Sequence, residues 1–187
     1  MAAERQSSGR ELERFRAYLR LLARLDWDQR FQAKLDASDL VQQTLLEAYR
    51  SLKSFRGQSE PELAGWLRQI LAFQMKHAAR DLGRGKRDVA RERSLDDAMN
   101  ASSVRLGAWL AADQSSPSEK AQRKEQAVQL AAALEELPQD QREVLVMHYL
   151  QGCTLPQISK RMGRSPAAVA GLLQRGLKDL RRLMSSE

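Results

Sequence analysis

Several residue types are scarce in this chain, and each shortage excludes a structural feature or a fold class. Cys153 is the only cysteine in 187 residues, so no disulfide can form within the chain, as is typical of proteins in a reducing cytoplasm. Glycine and proline number only 10 and 5, and runs that alternate apolar and polar residues are nearly absent. Because an all-β fold needs both features, we predict an all-α chain.

Membrane segments and catalytic motifs are also missing from the sequence. No apolar run approaches the roughly 20 residues that cross a bilayer, and the N-terminus lacks the apolar stretch of a signal peptide. No glycine-rich phosphate loop or paired-acid motif occurs, and His77 and His148 have no ligand-type residue at metal-binding spacing. We therefore expect a cytoplasmic protein that is not an enzyme, with no cofactor, no metal and no membrane contact.

Positive charge is what the chain has in excess. Lysine and arginine total 31 against 24 acidic residues, which gives a net charge of +7. An excess of this kind favours a polyanionic partner, and nucleic acid is the first to consider.

Apolar periodicity predicts helices along most of the chain. The first starts near Glu11 and buries Leu12, Phe15, Leu19 and Leu22. The second starts near residue 36, where Asp36 or Ser38 can cap free backbone amides. The third starts with Ser59 and Glu62 at the spacing of a capping box. The fourth is alanine-rich and runs through Leu134, and a fifth ends before Gly152.

The periodicity is lost between Ser94 and Ser118, where serines cluster around a proline. This gap divides the chain into a helical domain over residues 10–93, a flexible linker over residues 94–120 and a second helical domain over residues 121–187. The predicted fold is thus all-α, with two helical domains joined by the linker.

The end of the second domain predicts a helix-turn-helix. Thr154 and Gln157 form a second capping-box pair at the start of one helix, and Gly163 can end that helix with a positive φ. Ser165 followed by Pro166 is a favoured start for the next helix. Two helices joined by a short turn that contains glycine form the arrangement that places a recognition helix in the major groove.

The last helix carries small and basic residues on its outer side. Small side chains near its start would permit close approach to DNA bases, and the basic ones that follow could contact phosphate. The competing interpretation is that the small residues pack against another helix and the arginines form a solvated face. The candidate DNA-contacting residues, which together make the recognition face, are Arg164, Ser165, Ala167, Ala168, Ala170, Gln174, Arg175 and Lys178.

Two segments resemble one protein family. "LPQDQREVLVMHYLQGCTLPQISKRMGRSPAAVAGLLQRGLKDLRRL" resembles the fourth conserved region of sigma-70-family transcription initiation factors, and "DASDLVQQTLLEAYRSLKSFRGQSEPELAGWLRQI" resembles their second region. The segments occur in the family's order with no third domain between them, as in the small extracytoplasmic-function group. The resemblance implies a helical initiation factor whose recognition face would bind the minus-thirty-five promoter element.

The resemblance also assigns two surfaces in the first domain. One helix would dock on the clamp helices of the β′ subunit of core RNA polymerase, and the next would melt and bind the minus-ten element. The residues at the matching positions of the first surface, the docking face, are Asp39, Gln42, Gln43, Leu46 and Glu47. Those of the second, the single-strand face, are Arg68, Phe73, Gln74, Lys76, Arg80, Arg84, Lys86 and Arg87.

The sequence departs from the family pattern at two places. A loop that captures a flipped base is expected near Ala72, Phe73 and Gln74, but the asparagine common in that stretch is absent, and Phe73 could either stack on a base or belong to the core. After Val169, where many members have a lysine or arginine, this chain has Ala170 and Gly171. We therefore expect weaker minus-thirty-five binding that relies more on Arg164, Gln174, Arg175 and Lys178.

Two other functions remain open. A free-standing helix-turn-helix regulator would bind duplex DNA without polymerase, but it gives the basic face of the first domain no role. A helical adaptor for an acidic partner would show little affinity for DNA. The resemblance also implies an anti-sigma factor as a further candidate partner.

Overall fold

A computed structural model describes residues 10–26, 35–82 and 120–185 of the chain, with side chains from residue 126 onward in the last range. Every regular element in these ranges is helical, which confirms the all-α prediction. The main helices are α1 Arg16–Asp26, α2 Ala37–Ser51, α3 Glu60–Leu82, α4 Lys120–Glu136, α5 Gln139–Leu145, α6 Leu155–Met162 and α7 Pro166–Met184. A 3₁₀ turn, Leu52–Ser54, extends α2, and a π turn, Val146–Leu150, extends α5.

Helices α1, α2 and α3 pack together as an N-terminal unit. The four residues predicted for the first apolar stripe, Leu12, Phe15, Leu19 and Leu22, are all buried, as are Leu40, Val41, Thr44, Leu45 and Ala48 of α2. Thr44 is the one polar side chain among them, and its hydroxyl donates to the carbonyl oxygen of Leu40 at 2.7 Å. This bond keeps the hydroxyl from being an unsatisfied polar group in the core.

Capping side chains fix where α2 and α3 begin. Of the two residues considered for the start of α2, Asp36 is the cap: its carboxylate accepts from the backbone N–H groups of Ser38 and Asp39. At α3 the Glu62 carboxylate accepts from the backbone N–H of Ser59 at 3.2 Å and of Gln58 at 2.8 Å. In both cases the carboxylate accepts hydrogen bonds from backbone N–H groups that have no partner within the helix. The caps therefore fix the residue at which each helix begins, and with it which residues face outward.

Helices α4 to α7 form a C-terminal unit. Its main contact joins α5 to α7 at Gly176, where an added Cβ would lie 3.1 Å from Leu145 Cδ1 and 3.3 Å from Gln141 Cβ. Gly152 and Gly163, which follow α5 and α6, have φ of 68° and 62°, so both take the left-handed conformation that ends a helix. The predicted stops at these two glycines are confirmed.

Gly176→Val should lower the free energy of unfolding by roughly 1–2 kcal/mol, because the added side chain overpacks the α5–α7 contact. Gly171→Val in the same helix is the matched control, since its Cβ would meet only the flexible end of Arg175. It should change stability by less than about 0.5 kcal/mol, because valine is only slightly better than glycine in a helix. Urea unfolding measures both changes, and equal effects at the two glycines would contradict the close approach at Gly176.

The two units also touch each other. Helix α1 packs against α4, and residues of both units belong to one continuous buried cluster. The predicted linker, residues 94–120, lies outside the described residues except for Lys120, as do Arg84, Lys86 and Arg87 of the single-strand face. None of the helices in the described ranges combines the length and apolar content that crossing a bilayer requires.

Candidate functional site

The turn between α6 and α7 has the geometry predicted for a helix-turn-helix. The backbone N–H groups of Gly163 and Arg164 both donate to the carbonyl oxygen of Ser159, the latter at 3.1 Å. Ser165 then caps α7, because its hydroxyl accepts from the backbone N–H of Ala168 at 3.2 Å, and Pro166 takes the first helical position. At the other end of α6, the Gln157 amide oxygen accepts from the backbone N–H of Thr154 at 2.8 Å. These contacts confirm the predicted helix starts.

A small apolar cluster sets the angle between the two helices. Val144, Ile158, Val169 and Leu172 pack together, and the first three are fully buried. Val169 lies in the first turn of α7 and points into this cluster. Its neighbours in that turn therefore face the other way, because consecutive helical residues are about 100° apart.

All eight residues of the recognition face are exposed. The small residues at positions 167, 168 and 170 therefore do not pack against another described helix, which contradicts the packing half of the competing interpretation. The exposure of Arg175 and Lys178 agrees with both a DNA-binding face and a solvated face. Behind them, Arg175 folds its guanidinium over Gly171: Nη1 lies 3.2 Å from where a Cβ on that glycine would be. A bare, slightly basic helix start of this kind can approach a groove of duplex DNA closely.

Arg164 has a partner that the sequence did not reveal. Its guanidinium forms an ion pair with the Asp140 carboxylate in the first turn of α5, and both side chains are 45% exposed. The same guanidinium is a candidate DNA contact of the recognition face. If it binds DNA, the carboxylate competes for it, and the exposure of both side chains keeps the ion pair weak.

Asp140→Asn should raise the affinity of the DNA-binding unit for a minus-thirty-five duplex by about two- to threefold, because it removes the charge that competes for Arg164. The measurement is a titration of promoter DNA with the polymerase-bound chain at fixed salt. In an Arg164→Ala background the same substitution should have no effect. A gain that persists in that background would show that the ion pair is not its source.

The single-strand face corresponds to the outer side of α3. Phe73, Lys76 and Arg80 recur at helical spacing on that side, with Phe73 58% and Arg80 also exposed, while Arg68 and Gln74 are half-buried. One expectation is wrong: residues 72–74 lie in the middle of α3 and form no loop, and Ala72 is buried against the core. The apolar stripe continues through Met75 to Ala78, so the helix does not stop where a family loop was expected.

Phe73 is one of two neighbouring exposed rings. Its centroid lies 5.3 Å from that of His77, with the ring planes tilted by 52°. His77 also lies 3.9 Å from the Asp81 carboxylate one turn further along, so the expectation that no ligand-type residue follows His77 at such spacing is wrong. Of the two alternatives for Phe73, a core position is excluded in the free protein because the ring is exposed. Stacking on a base stays a prediction. Sequence reasoning missed His77, although its spacing of four residues from Phe73 was a usable signal.

The docking face lies on the outer side of α2. Asp39, Gln42 and Gln43 are exposed, Leu46 is 50% exposed and Glu47 is half-buried. The Asp39 carboxylate also accepts from the backbone N–H of Asp36 at 3.3 Å, so it takes part in the cap of α2.

Tyr49 extends the docking face and was missed by sequence reasoning. It is 39% exposed and, with Leu46, is one of the three large exposed apolar residues in the described ranges. A depression of about 330 Å³ lies beside the two residues and is also lined by Leu12, Leu45 and Gln42. An apolar rim around a shallow depression, bordered by polar groups, is typical of a protein-binding surface.

Two models of conserved protein regions match the chain. Sigma-70 region 2 matches residues 13–85, and Sigma-70 region 4 matches residues 127–180. The first match contains the docking face and most of the single-strand face. The second contains α6, the turn and α7 as far as Leu180.

Three curated proteins are similar along most of the chain. The RNA polymerase sigma factor CarQ of Myxococcus xanthus is 33% identical over 150 residues, which is 79% of this chain and 74% of that protein. The ECF RNA polymerase sigma factor SigX of Bacillus subtilis is 30% identical over 81% of this chain and 72% of its own length. The RNA polymerase sigma factor CnrH of Cupriavidus metallidurans is 27% identical over 81% and 75%.

A solved structure also matches: the sigma factor RpoE in complex with the anti-sigma factor NepR, from Bartonella quintana. It is 20% identical, covers 95% of this chain and 96% of its own, and has a TM-score of 0.33. The family assignment rests on the two conserved regions and on the identity with CarQ. The chain belongs to the sigma-70 family of transcription initiation factors, in its extracytoplasmic-function group.

Proposed function

We propose that this sigma factor docks on core RNA polymerase through α2, holds the melted minus-ten element along α3 and binds the minus-thirty-five element through α7. The observation that carries the proposal is the separation of the three faces. Each lies on a different helix and has exposed side chains there: four of the five docking-face residues, Phe73 and Arg80 of the single-strand face, and all eight residues of the recognition face. The chemistry of RNA synthesis belongs to the polymerase, and this chain supplies the choice of promoter.

The docking face supports the first step. The half-exposed Leu46 and the Tyr49 ring supply apolar area, and the amides and carboxylates around them supply polar contacts at the rim. In this proposal the partner is the pair of β′ clamp helices that the family resemblance names. A surface helix with an apolar centre and a polar rim can bind a partner helix whose apolar and charged groups complement it.

The outer side of α3 supports the second step. Binding a single DNA strand requires positive charge along the backbone and flat faces on which bases stack. The exposed Arg80 supplies positive charge for the DNA backbone. The neighbouring rings of Phe73 and His77 supply flat faces for base stacking. Since no loop interrupts α3 at residues 72–74, we propose that the extruded base stacks on this helix surface itself.

The recognition face supports the third step. Ala167, Ala168 and Ala170 present little bulk to the groove floor, and Arg175 and Lys178 follow on the exposed side. Few of these groups can form bidentate bonds with bases. Most of the affinity would therefore come from phosphate contacts and depend strongly on salt.

Transcription with purified components tests the proposal. The chain is added to core polymerase and to DNA fragments recovered from cells that overproduce it. We expect specific transcripts that core polymerase alone does not make. No specific transcript on any recovered fragment would contradict the proposal.

A free-standing helix-turn-helix regulator is the second candidate, because the recognition face is exposed without polymerase. It predicts a specific gel shift of duplex DNA by the chain alone. The sigma-factor proposal predicts a specific shift only when core polymerase is present. Binding of an anti-sigma factor stays a prediction.

A further inference from the structure

Helix α7 contains two glycines, and helix packing explains only one of them. At Gly176 an added Cβ would lie 3.1 Å from Leu145 Cδ1, so the approach of α5 requires a residue without a side chain. At Gly171, apart from the helix backbone, the three atoms nearest such a Cβ all belong to the Arg175 guanidinium: Nη1 at 3.2 Å, Nη2 at 3.7 Å and Cζ at 3.8 Å. Because glycine is a poor helix former, its presence at 171 needs another explanation.

The Arg175 side chain runs back along α7, toward the start of the helix. Helical side chains point toward the N-terminal end, so a long one covers the turn before its own Cα. Four residues at about 1.5 Å each place Gly171 roughly 6 Å nearer that end than Arg175. The missing side chain at 171 therefore leaves space for the guanidinium over the preceding turn.

Arg175 has no carboxylate partner among the residues that the structure describes. Asp179, four residues further on, is at a spacing that often supports an ion pair, but its carboxylate lies 3.8 Å from Arg182 Nη2 instead. Arg164, the arginine that precedes α7, is paired with Asp140. Within the described ranges, the exposed Arg175 guanidinium is thus the one near the helix start that is free to bind another group.

The first two turns of α7 contain no charged side chain. Residues 166–173 are proline, alanine, valine, glycine and leucine only. A recognition helix contacts bases mainly with its N-terminal residues, and the commonest specific contact is a bidentate pair of bonds from arginine to guanine O6 and N7. Arg175 can supply such a contact near the helix start only by reaching back over Gly171.

We propose that Gly171 is a positioning residue for promoter recognition: its missing side chain lets the Arg175 guanidinium lie over the start of α7 and bind one guanine of the minus-thirty-five element. This inference rests on the proposed function. The family pattern has a lysine or arginine soon after Val169, and here Arg175 supplies a cation from about one turn further on. One base pair then carries most of the sequence preference of the recognition face.

Selection from promoter duplexes randomised in the minus-thirty-five element tests the role of Arg175. The full chain and core polymerase select from the pool, whose downstream element comes from a promoter recovered from cells. The wild-type chain should prefer guanine strongly at one base pair. Arg175→Ala should lower that preference about tenfold or more, within the roughly 5- to 150-fold that one bidentate arginine supplies. Preferences at the other positions should change less than about twofold.

Gly171→Val tests the positioning role while Arg175 is still present. Its side chain fills the space of the guanidinium, so the same guanine preference should fall about three- to tenfold. Gly171→Ala adds only the Cβ and should lower the preference about twofold; because it improves helix propensity, unfolding cannot explain the loss. In an Arg175→Ala background neither substitution should lower the preference further.

Lys178→Ala is the control for a general loss of charge. It removes an exposed cation about one turn after Arg175 and should weaken binding to all sequences alike, with the slope of log affinity against log salt reduced by about one. The guanine preference should stay. An unchanged guanine preference in Arg175→Ala or in Gly171→Val would overturn the proposal. So would an equal loss from Gly171→Val in the Arg175→Ala background, because valine would then act through its own bulk against DNA.

The same selection without core polymerase separates this inference from the proposed function. If the chain selects the guanine only without polymerase and loses it in Gly171→Val, the sigma-factor function fails and the positioning role stands. If the polymerase-bound chain selects a sequence that does not depend on residues 171 and 175, the sigma-factor function stands and this inference fails. Selection of no sequence under either condition would overturn both.

Discussion

Leu46→Asp should weaken binding to core RNA polymerase by at least about 30-fold, the effect expected when an apolar anchor at the centre of an interface becomes charged. Leu46 is half-exposed in the free protein, so the substitution should change the free energy of unfolding by less than about 1 kcal/mol. Binding is measured with labelled sigma factor and purified core enzyme at constant salt.

Lys53→Asp is the control for charge repulsion in that experiment, and it is a demanding one because it also removes a positive charge. It places the same aspartate at an exposed position just after α2, outside the docking face, and should leave the affinity within about twofold. If Leu46→Asp and Lys53→Asp had the same effect, general charge repulsion would explain the result and the docking face would be misplaced.

Phe73→Ala should reduce the rate of promoter melting at least tenfold while leaving polymerase binding intact. Stacking on an aromatic ring contributes about 1–3 kcal/mol per base, and Phe73 is 58% exposed and so contributes little to the core. The melting rate is followed by the fluorescence of 2-aminopurine placed in the minus-ten element. Phe73→Tyr keeps a ring and should retain most of the rate.

His77 provides a graded comparison for the same assay. Because its ring lies beside that of Phe73, His77→Ala should slow melting less than Phe73→Ala does, by roughly two- to fivefold. A normal melting rate in Phe73→Ala would contradict the stacking role. The extruded base would then have to bind elsewhere on the N-terminal unit.

Local signals in the sequence account for most of the fold. The capping residues Asp36, Thr154 and Ser165 and the glycines at 152 and 163 act through bonds within a few residues, so their effects could be predicted from sequence alone. The exposure of Ala167, Ala168 and Ala170 followed from the same logic, because Val169 had to face inward. Helix periodicity also predicts which residues of α2 point outward, whereas their role as a docking face is implied by the family resemblance alone.

Contacts between distant residues were not predictable in this way. The Arg164–Asp140 pair joins residues 24 apart, and the Arg20–Glu135 pair joins residues 115 apart. Periodicity carries no information about which helices meet. The expected loop near Ala72 failed for a different reason: the family pattern was applied to a stretch whose own residues continue an apolar stripe and keep α3 helical. The sequence's own periodicity was the better guide there.

Footprinting of the complex of core polymerase and this chain on a promoter recovered from cells tests the central claim most directly. We predict two separate protected segments, one at the minus-thirty-five and one at the minus-ten element, with reactive unpaired bases only in the downstream one. Both should disappear when either the core enzyme or this chain is left out. Full protection of the upstream segment by the chain alone, with no downstream melting when polymerase is added, would contradict the account.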